Sequence, residues 1–467
     1  MPYTPVMPAK AGIHDFLRNP TTTLELLSAY RSRKISPVET ITQSLAAIER
    51  DAHFNAWVHI AHDSALQEAQ ASESRWRQNA PLGPLDGIPI GVKDLLAVAG
   101  QPMRRGSPAY PEQNIPSEDS PIVARFREAG AIIIGKTATP DAGCKLDTTS
   151  LVHGTTLNPH NSALTPGGSS GGSAAALALG HVPIAIGTDG AGSIRVPAAF
   201  CGVYGLKPST GRVPAPIGPF WPHAVTGPMT RTVLDTALAL DTATKPDARD
   251  PYALPYTGTD WLAEAQRGVK NLRIAVAESF HGIGAGTEIT AALHRAAATL
   301  EAHGAIITLA EPAWPCHPRD PFLVFWHCMY AQSVALMPPA QAALIDPVIK
   351  SIVAGAEKIT RAQFQIAMTQ RDALATAIAQ FHESYDLLLC PIMPGPPWTA
   401  GRATPEPYGE ENWSWCPFAY PFNLTRQPAA SVPMGRDANN LPVAIQLIAA
   451  NGRDDLVLRA SFVLESA

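Results

Sequence analysis

The chain has 467 residues, 46% of them hydrophobic and only 16% charged, with a formal net charge of −5. That balance excludes the basic footprint of a nucleic-acid or anionic-membrane binder, and no uncharged apolar run reaches the roughly 18 residues that a membrane-spanning helix needs. A charge fraction well under the roughly 25% of ordinary soluble domains fits a large body with much buried surface, or one that buries more in a homo-oligomer.

Residues 1–20 show no hydrophobic period and are expected to form a poorly ordered extension. Lys10, Asp15 and Arg18 interrupt them, and no apolar segment of the signal-peptide kind is present. Residues 22–30 read as a helix opening on threonines. Ser36-Pro37-Val38-Glu39 starts a longer one, with a capping residue, a proline at the first helical position and a glutamate placed to close the box. Ile88 to Lys93 is a short buried strand ending in a charge. Residues 121–126 begin a helix that stops at Gly130, and 131–136 form an apolar strand. Two Gly-rich turns follow, at 166–172 and 188–193, separated by an Ala-rich helix over 173–179 and a strand over 183–187.

Beyond them, 247–380 reads as mainly helical with one strand at 272–277. Strands are expected at 385–391, 430–433 and 443–447, and a terminal helix near Asp454. The 45 prolines are dense at 208–228 and 390–407, which read as long loops. Recurrent helix and strand predict an α/β fold, a twisted mixed sheet flanked by helices. It is expected to be one domain over 21–467, with a variable helical insertion over 247–380. The six cysteines form no Cys-x-x-Cys pair, so zinc and redox spacings are absent and a reduced, cytoplasmic protein is expected.

The Gly-rich turns carry the chemistry. Glycines let a backbone approach a substrate closely and aim several N–H groups inward, which suits a phosphate or a developing oxyanion. Neither a P-loop nor a dinucleotide fingerprint is present. The turns hold Ser169, Ser170, Ser173 and Ser193 instead, and a serine in such a turn is a candidate nucleophile. Ser169 and Ser170 each sit in Gly-x-Ser-x-Gly, but the preceding residues 157–165 are rich in Asn, Pro and His and lack the strand a nucleophile elbow requires. Lys93 is either a snorkelling surface residue or a lysine drawn inward, whose pKa falls until it can act as a base.

Three linked segments resemble the amidase signature family: Gly91-Val92-Lys93-Asp94, Pro166-Gly167-Gly168-Ser169-Ser170-Gly171-Gly172-Ser173-Ala174, and Gly187-Thr188-Asp189-Gly190-Ala191-Gly192-Ser193-Ile194-Arg195-Val196-Pro197-Ala198. Ser169 and Ser193 stand 24 residues apart, as in that family. The likeness extends over roughly residues 22–465 and is strongest over 84–231. It implies an amidase that works through an acyl-enzyme without cofactor or metal. Ser193 would be the nucleophile, Ser169 a relay after a cis peptide bond, and Lys93 the base. The N–H groups of Gly190, Ala191, Gly192 and Ser193 would form an oxyanion hole, with Ala191 where many members carry glycine. Ser170 and Thr188 are expected to hydrogen-bond within their loops, and Ser170 is also a candidate for the oxyanion or substrate-binding wall. Asp189 and Arg195 are expected to pair and hold the turn, while Gly143 and Cys144 match a segment that borders the substrate.

The implied substrates are small, neutral, partly apolar amides, with aryl groups, esters and carbamates as further candidates. Phe220, Trp221, Phe325, Trp326, Tyr330, Trp413, Trp415, Phe418 and Tyr420 are candidates for core or pocket wall. Three rivals stand beside this reading. One is an amidotransferase subunit working with partner chains. Another is a non-catalytic member of the same family that only binds a ligand or partner, against which the intact Lys93, Ser169 and Ser193 argue. The third is an α/β-hydrolase-type esterase that pairs Ser169 or Ser170 with His153, His160, His181 or His223.

Overall fold

The computed structural model of the protein describes residues 22–215, 218, 223–409 and 413–467. The expected N-terminal extension, Phe220 and Trp221 lie outside them. Local signals set the first helices. Thr22 and Glu25 close a capping box on helix Thr23–Arg31, and Ser36 and Glu39 close another on Pro37–Arg50.

The strands in chain order are β1 (Trp57–Ile60), β2 (Pro89–Lys93), β3 (Ile132–Thr137), β4 (Thr149–Ser150), β5 (Gly154–Thr155), β6 (Ile184–Asp189), β7 (Tyr204–Lys207), β8 (Val225–Thr230), β9 (Arg273–Val276), β10 (Ser279–Phe280), β11 (Ile283–Gly284), β12 (Ile306–Leu309), β13 (Leu387–Pro391), β14 (Ala429–Arg436) and β15 (Pro442–Ala449). Eleven of them form one mixed sheet in the order β1-β3-β2-β6-β8-β7-β14-β15-β13-β9-β12, while β4–β5 and β10–β11 are separate hairpins. The α/β class with a central mixed sheet flanked by helices therefore holds. β2 runs parallel to both β3 and β6, whereas β6, β8, β7, β14, β15 and β13 pair antiparallel in turn.

Alternation along each strand splits the core between the two faces of the sheet. Ile184, Ile186, Leu387 and Leu389 pack with the helices Val233–Ala243, Thr287–Ala302 and Asp454–Glu465. Ala185 packs on the opposite face against Pro37–Arg50, Gly171–Ala178 and Arg195–Cys201.

Two expectations need correcting. The stretch 247–380 is not helical around a single strand: β9 and β12 both enter the main sheet, and β10–β11 form a hairpin between them. The Pro-rich stretch 208–228 is not a loop throughout, because β8 begins at Val225 and carries Pro228 opposite Ile186.

Candidate active site

Lys93 ends β2 and Thr188 lies at the end of β6. The two strands are parallel neighbours inside the sheet with Val92 opposite Ile186, so both side chains lie at the C-terminal ends of these strands. The two Gly-rich turns close over those ends. The first leads into the helix Gly171–Ala178 and the second into the helix Arg195–Cys201. The peptide bond between Gly168 and Ser169 is cis.

Lys93 is fully buried. Its Nζ lies 2.7 Å from Ser169 Oγ, 2.9 Å from Ser170 Oγ and 2.9 Å from Thr188 Oγ1. Three hydroxyls, and no carboxylate among the described residues, make up its hydrogen-bonded shell. Burial drives its pKa well below the ordinary lysine value, against an opposing pull from Asp189. Ser170 and Thr188 do hydrogen-bond between their loops, Ser170 Oγ donating to the Thr188 carbonyl at 3.2 Å, and both hydroxyls also reach Lys93. Gly143 has a left-handed φ of 75°, and a Cβ there would stand 3.1 Å from Ser169 Oγ. A side chain at that position would crowd the hydroxyl.

Ser193 is 4% exposed, and its hydroxyl has no hydrogen-bond partner among the described residues. Its carbonyl accepts from the Ser170 N–H at 3.1 Å, which ties one turn to the other. The backbone N–H groups of Gly190, Ala191 and Ser193 also have no acceptor among the described residues. Gly192 differs from its neighbours in the turn. Its N–H donates to Asp189 Oδ1 at 2.8 Å and so faces the carboxylate, not the space above the turn. Ala191 is fully buried, and its φ is not among the positive ones, so its methyl group fits the turn.

Beneath the turn, Arg195 and Asp189 form a fully buried, two-pronged pair at 2.9 Å. Arg195 also donates to Gln446 Oε1, Asn423 Oδ1 and the Ala419 carbonyl. Asn423 Nδ2 returns bonds to Asp189. Burial alone would raise the Asp189 pKa, but Arg195 and then Lys207 outweigh it and hold the carboxylate well below its usual range. Asn423 and Gln446 were missing from the sequence-derived site. They sit in tail segments far from the two turns, and nothing in their spacing signals the contact.

Beside the turn, Ala191 packs in an aromatic cluster with Phe322, Trp326, Tyr330, Trp413 and Tyr420. Trp326 stands 3.7 Å from where a Gly190 Cβ would be. Phe418 lies elsewhere, with Phe280 and Phe422. The four histidines stay away from the serines of the turns. His153 meets Ser150 through its backbone N–H, His160 bonds the Cys201 carbonyl, His181 lies between Trp57 and Asp51, and His223 stacks near Phe325. No histidine hydrogen-bonds Ser169, Ser170 or Ser193 among the described residues, which removes the support for the esterase rival.

Known proteins resemble this chain over nearly its whole length. The family model described as Amidase matches residues 39–458. An acylamidase of Rhodococcus erythropolis is 34% identical over 456 residues, covering 95% of this chain and 94% of that one. One chain of the glutamyl-tRNA(Gln) amidotransferase of Rhodopirellula baltica is 32% identical over 482 residues, covering 95% of each. Among solved structures, a bacterial aryl acylamidase belonging to the amidase signature enzymes superposes with a TM-score of 0.89 at 28% identity, covering 96% of each chain.

Proposed function

The chain belongs to the amidase signature family, and from that premise we propose how it cleaves an amide: Ser193 attacks the acyl carbon, Ser169 relays the proton and Lys93 receives it. The observation that carries this reading is the buried Lys93 amine 2.7 Å from Ser169 Oγ. A neutral amine has two N–H donors and one lone pair. Ser170 and Thr188 can take the donors, which leaves the lone pair for the Ser169 hydroxyl proton. Burial favours that neutral form, as a base requires.

The N–H groups of Gly190, Ala191 and Ser193 meet the oxyanion as it forms, and the Gly192 N–H holds the turn to Asp189. The tetrahedral adduct then collapses to the acyl-enzyme as the C–N bond breaks, the leaving amine takes its proton from Lys93 along Ser169, and water deprotonated along the same relay hydrolyses the acyl-enzyme. The aromatic cluster around Trp326 supports apolar, aryl-bearing amides as substrates, and esters with good leaving groups should also react. The test is a hydrolysis screen of amides, esters and carbamates with the purified chain. Ser193→Ala is expected to abolish turnover with the fold intact, and near-normal activity in that variant would remove Ser193 from its role.

The likeness to an amidotransferase chain supports a second reading, in which ammonia is handed to a partner chain. Amide turnover by the lone chain decides for the first.

A further inference from the structure

Beside the site, residues 104–107 are locked to residues 139–143. Arg105 adopts a left-handed φ of 53° and Gly106 one of 66°, a region a long side chain rarely occupies unless its surroundings hold it there. A Cβ on Gly106 would meet the Thr139 carbonyl at 2.3 Å. The Arg105 carbonyl accepts the Ala142 N–H at 2.9 Å, and Ser107 Oγ donates to Asp141 Oδ2 at 2.8 Å. Ala142 is left-handed too, with φ 45°, and its carbonyl accepts from the Tyr330 hydroxyl at 3.1 Å. The next residue is Gly143, which abuts Ser169. Arg105 is therefore joined to the serine through one short loop, and its charge is felt at Tyr330 and Lys136.

The Arg105 guanidinium meets no carboxylate and no hydrogen-bond acceptor among the described residues. Among the described residues its Nε is buried without a partner, and its one ring contact is the face of Tyr110, 5.5 Å from the guanidinium carbon. The nearby described acids are taken. Asp94 receives Lys136 at 3.1 Å and the Gly106 N–H at 3.4 Å. Asp141 receives Ser107 and the Asp346 N–H, each at 2.8 Å, and Glu112 pairs with Arg104 at 3.5 Å. Arg105 is half-buried with its Nε enclosed, enclosed cationic donors are normally satisfied, and a guanidinium presents a planar fork that matches a carboxylate.

We propose that Arg105 docks a carboxylate carried by the amide substrate, remote from the bond that is cut. This rests on the amide-hydrolase reading and extends it, because the family resemblance implies neutral substrates. Neutral amides are turned over as well, without this contact.

The experiment measures 4-nitroaniline release from succinyl, glutaryl and adipyl 4-nitroanilides against chain-matched acyl 4-nitroanilides ending in methyl. A second series places the carboxylate on the amine side, as acetyl-4-aminobenzoate against acetyl-4-toluidine. In at least one pair the carboxylate-to-methyl ratio of kcat/KM should fall about tenfold or more from wild type to Arg105→Met, mostly through KM. Arg105→Lys should recover part of that ratio. Arg104→Met, which removes a cation with its own acid partner, should leave it unchanged. A ratio that does not move in Arg105→Met or Arg105→Lys on either side of the amide overturns the proposal. Failure of the wild type to cleave even the methyl-ended substrates would overturn the amide-hydrolase reading itself, and the proposal with it.

Discussion

At the scale of single residues, Lys93 and its three hydroxyl neighbours set the sharpest tests. Burial lowers the Lys93 pKa, so the neutral amine persists to lower pH than in an ordinary lysine. As pH falls through that lowered value, Lys93 takes up a proton and the base is lost. Amide kcat/KM should therefore fall on the acid side and hold a plateau above it. Lys93→Met should flatten this limb and reduce amide turnover about 10²–10⁴-fold, with a smaller loss on an activated ester whose leaving group hardly needs a proton. Thr188→Val removes one acceptor around the amine, and its effect should appear in kcat and in the position of the acid limb, with KM little changed. Gly143→Ala places a methyl group 3.1 Å from Ser169 Oγ on a left-handed residue, and should lower amide kcat while thermal stability drops only modestly. The sequence singled out Lys93, Ser169 and Ser193 as candidates because each is tied to a compact motif. It did not disclose that Thr188 reaches Lys93, since that depends on β2 and β6 lying side by side, a pairing between residues 95 positions apart.

At the scale of elements, those with local signals were legible: the capped helices, the apolar β2 and β3, and the strand β13. That strand starts at Leu387 and not at Tyr385, because Tyr385 still caps the helix Arg361–Ser384, and element ends shift by a residue or two in this way. β12 escaped because its sequence is Ile306-Ile307-Thr308-Leu309 and it lies at the sheet edge with two large apolar side chains exposed, so neither alternation nor burial marks it. β8 escaped because Gly227 and Pro228 read as turn residues, whereas the pairing with β6 and β7 overrides that preference.

One junction between elements is also pH-sensitive. Asp235, in helix Val233–Ala243, accepts the Thr23 N–H at 3.0 Å and so ties down the first helix. Burial raises its pKa to about 6, against the lowering effect of that hydrogen bond. The folded value lies above the roughly 3.9 of an unfolded aspartate. Between the two the folded state holds more protons, so stability falls as pH rises through that window and stays lower above it. Asp235→Asn should shrink the loss between pH 5 and pH 8 by on the order of 1 kcal/mol, read as a smaller change in Tm than in the wild type.

At the scale of the whole molecule, a single sheet of eleven strands runs from β1 to β12 and carries both the signature segments and the strands of the 247–380 stretch. We propose on that ground that residues 21–467 unfold as one domain, and calorimetry should show one transition. Two separate transitions would divide the chain. The buried ion pair beneath the second turn adds a consequence for how the protein is made. Asp189 and Arg195 are synthesised early, but the amide groups that complete their shell belong to Asn423 and Gln446, 228 and 251 positions after Arg195. While the chain is still on the ribosome, the turn that carries Ser193 lacks the partners that hold it, and an arginine destined for full burial is unsatisfied. Nascent chains stalled before β15 should be catalytically silent however complete their signature segments, and competence should appear only when the last tenth of the chain has emerged.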